Sequence, residues 1–187
     1  MKPKAPRFDA LVEELGRLRL DPTVPGAAEV IHEALRHKHW MPVERASALV
    51  AQHVLVDYAN DLLAVWGRFL DPAAKLDPGC RAKEAALRAL DTLEWWDADP
   101  FLAAVRYVQM EPAYGPPVDT AGGIRQRALS ALLRLHHSHA LLYAGELLAD
   151  PSSTCARARP MPSANTAARR PVRSSSSACG STTTCGC

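Results

Sequence analysis

Three sets of side chains are of types that could do chemistry. Histidines cluster twice, as His32, His37, His39 and as His136, His137, His139. Four of the five cysteines, Cys155, Cys179, Cys185 and Cys187, stand near the end of the chain. Trp95 and Trp96 are adjacent within an acidic run of Asp91, Glu94, Asp97 and Asp99. Paired imidazoles or thiolates hold metals, but structural zinc needs paired C-x-x-C or C/H spacings that these residues lack. His37, His39, His136 and His137 read instead as residues at helix ends, where an imidazolium complements the dipole. No glycine-rich phosphate loop, H-E-x-x-H, G-x-S-x-G or Cys/His nucleophile pattern occurs. The expectation is therefore no catalytic residue, no cofactor and no metal. Trp and Tyr are favoured anchors at protein interfaces. Trp95, Trp96 and Tyr114 are thus the candidate partner-binding residues. The alternative for the tryptophans is gap-filling between helix layers, and for the acids a solvated, capping role.

Charge and composition divide the elements that must position these residues. Residues 1–150 carry 17 Lys+Arg against 20 Asp+Glu, a net of −3, and residues 151–187 carry five Arg and no acid. The whole chain of 187 residues is 48% hydrophobic and 6% aromatic, which excludes collagen, a long coiled coil and full disorder. No apolar run approaches the roughly 20 residues of a membrane span. Met1 to Arg7 lead into an amphipathic stretch and not an apolar secretory core, and residues 1–150 hold one cysteine, Cys80. The reading is a cytoplasmic protein without membrane attachment.

Apolar residues recur at helical spacing along residues 1–150. The periodicity predicts helices over Phe8–Leu18, Gly26–His37, Val43–Leu55, Tyr58–Leu70 and Arg81–Trp95, another opening at Asp99-Pro100, then Ile124–His136 and Ala140–Ala149. Asp71-Pro72 and Asp77-Pro78 frame a loop, and Glu111 to Gly123 form a long Pro- and Gly-rich loop carrying Tyr114. No alternating pattern bounded by hairpin turns appears, so no strand is expected. Trp66, Phe69, Leu87 and Leu90 are expected in the core.

The helices read as pairs whose first members share a pattern. Arg45-x-x-Ala48-x-x-Ala51 recurs as Lys83-x-x-Ala86-x-x-Ala89-Leu90, and again as Arg125-x-x-Ala128-x-x-Ala131-Leu132, at offsets of 38 and 42 residues. Small residues three apart allow a neighbouring helix to approach closely. This pattern over residues 26–150 resembles the HEAT and HEAT-like repeat family, including its phycobilin lyase type, with Phe8 to Leu20 as a capping helix. The resemblance implies an all-α fold, an α-solenoid of paired antiparallel helices. A compact irregular helical bundle is the alternative.

After Asp150-Pro151 the pattern stops, and a Ser-, Arg- and Cys-rich tail spans 151–187. Back-translated with G- or C-ending codons and read one base earlier, the segment from Thr154 can encode a further helical pair. Some of this holds for any codon choice: cysteine codons begin TG and give Leu, Met or Val in that frame. The tail thus reads as out of frame. Otherwise it is a disordered Ser/Arg tail, and in both cases no stable tertiary structure is expected from Ser152 onward. Without a capping repeat the last helices would expose apolar surface, and the chain is expected to self-associate there.

The resemblance implies a non-enzymatic scaffold that binds a protein partner on its concave face, with the Tyr114 loop as a lid or an insertion. Two alternatives are a phycobilin lyase-like protein and a HEAT-type alkylpurine DNA glycosylase. The glycosylase needs a basic groove, and the net charge of −3 over residues 1–150 makes a nucleic acid partner unlikely.

Overall fold

Leu11, Leu15 and Leu18 fall on one face of α1 (Phe8–Leu18) and are buried there, because residues three and four apart share a helix face. The same logic builds α2 (Ala27–Leu35), α3 (Trp40–His53), α4 (Ala59–Arg68), α6 (Arg81–Thr92), α7 (Asp99–Val105), α8 (Gly122–Arg134) and α9 (Ala140–Ala149). The short α5 (Ala73–Leu76) and a 3-10 turn over Pro78–Cys80 occupy what the sequence suggests is plain loop. The structure, a computed structural model, describes residues 8–70 and 73–149. The tail of 151–187 lies outside the described residues. The described chain is mostly helical.

Packing places α1, α3, α6 and α8 in a row, each helix against the next. Against that row, α2 packs on α3, α4 on α6 and α7 on α8. The pattern-bearing helices are therefore the second members of their pairs, not the first, which corrects the pairing read from the Asp-Pro punctuation. Trp66, Phe69, Leu87 and Leu90 are buried as expected. So are Ala86, Ala89, Ala128, Ala131 and Leu132, all inaccessible.

Ala48 and Ala51 do not join them. Both are partly exposed and Arg45 is exposed, whereas Val43, Ala46, Leu49 and Val50 are buried. The first copy of the pattern thus begins at Val43, two residues earlier than the sequence suggests. Val43 takes the place of Lys83 and Arg125, and the offsets become 40 and 42 residues.

The helix ends show the same register. Val54, Glu94 and His136, again 40 and 42 residues apart, have φ of 51°, 55° and 51° in the left-handed region. After each, one amide reaches back six residues inclusive: Leu55 N to Val50 O at 3.1 Å, Trp95 N to Leu90 O at 2.9 Å, and His137 N to Leu132 O at 3.0 Å. This is the left-handed stop that satisfies the last carbonyls of a helix, and it favours glycine. A β-branched valine is strained there, by about 1–2 kcal/mol. Val54 is more than half exposed, so little packing depends on it. Val54→Gly is therefore expected to raise the urea midpoint slightly, by up to about 1 kcal/mol after the added freedom of the unfolded chain is subtracted. A lowered midpoint would show that the valine side chain contributes more than its backbone costs.

The loop between α7 and α8 contains a strand pair that the sequence did not predict. β1 (Met110–Glu111) and β2 (Val118–Asp119) pair antiparallel, Met110 opposite Asp119 and Glu111 opposite Val118. Two residues per strand are too few to create an alternating pattern. At the far end of the described chain, Leu141, Leu142 and Leu148 of α9 are exposed, 58–79% of each. These leucines form the surface through which the sequence reading expects copies to associate.

Candidate partner-binding surface

A buried polar network fixes the junction between α6, α8 and the β1–β2 hairpin. Asp77 precedes α6 and caps it, with Oδ1 accepting from Ala82 N at 2.9 Å and Oδ2 from Lys83 N at 3.0 Å. The tight turn between uses Gly79 at φ 72°, a conformation glycine adopts without strain. Lys83, fully buried, places Nζ 3.1 Å from Asp77 Oδ2 and donates to Phe69 O at 3.3 Å. The ring of Tyr107 lies 5.6 Å from that ammonium.

The device recurs one repeat later. Asp119 Oδ1 accepts from Ala121 N at 3.0 Å, and Oδ2 pairs with Arg125 Nη1 at 2.6 Å. Arg125 Nη1 also donates to Tyr107 O at 2.9 Å. In each copy a cation six residues after the aspartate ties the cap of its own helix to a carbonyl just past the end of the preceding helix. Sequence reasoning aligned Lys83 with Arg125 and missed their aspartates, although the spacing of six is visible in both. The first repeat has Val43 and His37 at these positions and lacks the pair.

The hairpin docks on this frame. Glu111 Oε1 accepts from Gly79 N at 2.7 Å, Gln109 Nε2 at 2.6 Å and Thr120 Oγ1 at 2.9 Å. Gln109 Nε2 also donates to Asp77 O at 2.9 Å. Burial pushes the Glu111 and Asp119 carboxyls up, but the hydrogen bonds they accept outweigh it and hold both below their usual values. Burial raises the Cys80 thiol to about 11, so it is not a thiolate nucleophile at neutral pH.

His37 follows the end of α2, and His136 and His137 follow the end of α8, as the helix-end reading has them, whereas His39 stands at a helix start. His39 is the N-cap of α3, its Nδ1 accepting from Met41 N at 3.2 Å. His37 and His137 accept in the same way from the amides of His39 and His139. His32 Nδ1 lies 2.9 Å from Asp61 Oδ2 on α4. Among the described residues, no three His, Cys, Asp or Glu side chains converge as a metal site requires.

The aromatic candidates are separated. Trp95 is half-buried against the core at the end of α6, and Arg134 binds its carbonyl at 3.3 Å while pairing with Asp91 at 2.9 Å. Trp96 is 76% exposed and leans on Trp95 at 5.9 Å between ring centroids. Tyr114 is fully exposed at the tip of the hairpin loop. Among the described residues no ring contact joins Tyr114 to either tryptophan. Trp95 thus fills a helix junction, and Trp96 and Tyr114 are the exposed members.

A concavity lies elsewhere, along the side of the row formed by α1, α3 and α6. It is an open groove of about 650 Å³ lined by Leu15, Gly16, Arg19, Arg45, Ala48, Leu49, Ala51, Gln52 and Arg88. The partly exposed Ala48 and Ala51 form its floor. Arg19 Nε donates to Gln52 Oε1 at 3.1 Å, and Arg45 Nη1 reaches Val12 O at 3.5 Å. The Arg88 guanidinium has no hydrogen-bond or ion-pair partner among the described residues. Among the described residues no carboxylate lines the groove.

The described fold is that of a mostly helical protein with one short two-stranded sheet. Comparison of the chain with protein-family models, with curated proteins and with solved structures found no match. No helix among the described residues is long and apolar enough to cross a membrane.

Proposed function

We propose that the chain is a non-enzymatic scaffold, an α-solenoid of HEAT-like repeats that binds a protein partner on the face presented by α1, α3 and α6. The groove of about 650 Å³ along that face carries this reading. The register of 40 and 42 residues, shared by buried faces and helix ends, supports the repeat architecture. Repeat arrays bury one core between neighbouring units and leave an extended surface for recognition, so a partner site needs no catalytic group. The groove lining has no aromatic ring on which a base could stack and no carboxylate to activate water, which favours this reading over the DNA glycosylase.

The test places a photo-crosslinking amino acid at Ala48 in the groove, and in a second chain at the exposed Asn60 on α4. Irradiation in the cells that make the protein should yield a defined adduct from position 48 and none from position 60. Equal labelling at both positions, or none at 48, overturns the proposal.

A further inference from the structure

We infer that the groove seats an acidic peptide segment of the partner protein, its carboxylates meeting Arg19, Arg45 and Arg88 and its apolar side chains resting on Ala48, Leu49 and Ala51. This deepens the proposed scaffold reading and rests on it.

Charge complementarity carries the argument. Residues 1–150 have a net charge of −3, yet the groove gathers three arginines, from the turn after α1, from α3 and from α6, with no acid among the described residues of its lining. Four arginines elsewhere are neutralised, Arg17 by Glu13 at 2.7 Å, Arg106 by Glu146 at 2.6 Å, Arg125 by Asp119 at 2.6 Å and Arg134 by Asp91 at 2.9 Å, while Arg68 and Arg81 are held by carbonyls and by the Trp40 ring, respectively. In the groove, among the described residues, the one side-chain acceptor of these cations is the Gln52 amide, and the Arg88 guanidinium has none. A guanidinium presents a planar fork of donors matched to a carboxylate, so three of them along one channel select an extended row of acids. The floor of Ala and Leu adds apolar contact that a purely polyanionic ligand would not use. A protein segment alternating acidic and apolar residues satisfies both.

Fluorescence anisotropy on the full chain provides the test, with a labelled short peptide of alternating Glu and Leu as probe. Binding should weaken as salt rises, because exposed charges are screened over about 8–10 Å at 0.1–0.15 M. Arg88→Glu should weaken it about tenfold or more, and Arg45→Glu similarly. Lys38→Glu, which changes net charge equally at an exposed loop position outside the groove, should leave it nearly unchanged. Circular dichroism of Arg88→Ala, which removes a guanidinium without partners, controls for folding.

No binding of the acidic peptide overturns the inference, as does equal loss with Lys38→Glu. Equal affinity for a Lys-Leu peptide, or tighter groove-dependent binding of an oligonucleotide of the same charge, overturns it too. If the crosslink from position 48 persists while the acidic peptide fails to bind, this inference falls and the scaffold reading stands. If no crosslink forms from position 48, the scaffold reading itself falls.

Discussion

Asp77→Ala is expected to lower the unfolding free energy by about 3–5 kcal/mol, the range for removing one partner of a buried ion pair. The side chain does two jobs at once. It satisfies the amides of Ala82 and Lys83 at the start of α6, and it neutralises the inaccessible Lys83 ammonium. Its loss leaves that ammonium only Phe69 O and the face of the Tyr107 ring among the described residues. Lys83→Met removes the other partner but leaves Asp77 its two amides, so it should cost less. The double variant should cost less than the sum of the two, because no buried charge is then left uncompensated. Urea unfolding followed by circular dichroism gives all three values. A loss below about 1 kcal/mol for Asp77→Ala would mean that water reaches the pair.

The second large effect concerns Leu90, inaccessible on α6 and central to the row. Leu90→Ala should cost about 2–5 kcal/mol, depending on how far α3 and α8 close over the cavity. Its value as a test grows when paired with the first repeat. Ala46 is inaccessible, so Ala46→Leu should overpack the core and cost about 1–3 kcal/mol. Ala48 lies on the groove floor, and Ala48→Leu should change stability by about half a kcal/mol or less. The reverse order would restore the register that begins at Arg45. A loss below about half a kcal/mol for Leu90→Ala would place that helix face outside the core.

The contrast between those alanines shows what the chain made legible. In α6 and α8 a buried cation at the start of the pattern, Lys83 or Arg125, marks the register, and both helices were placed correctly. In α3 that position is Val43, while the exposed Arg45 happens to open a run with the same spacing. The imitation was two residues late and nothing local opposed it. Helix positions followed from apolar periodicity, but pairing did not: it depends on which neighbour each face meets. The β1–β2 hairpin is held by Glu111 and Gln109 reaching across to Gly79 and Asp77 and not by its own pattern. The groove was invisible for a similar reason. Arg19, Arg45 and Arg88 come together from three separate segments, in a body whose net charge has the opposite sign.

The local reach of the network has a mechanical consequence. Among the described residues, the side-chain hydrogen bonds and ion pairs named above extend no further than the 43 positions between Asp91 and Arg134. Tension applied at the two ends would therefore find no clasp joining the first helices to the last. Load passes from each pair to the next, and the pair with the weakest tie yields first. The pair built on α3 has Val43 in place of the buried cation and is expected to be that one. The molecule should stretch as a spring of unequal coils, giving a staircase in a force–extension trace with α1 to α3 released before α6 to α8. A single abrupt rupture would mean that the row is clamped as a whole.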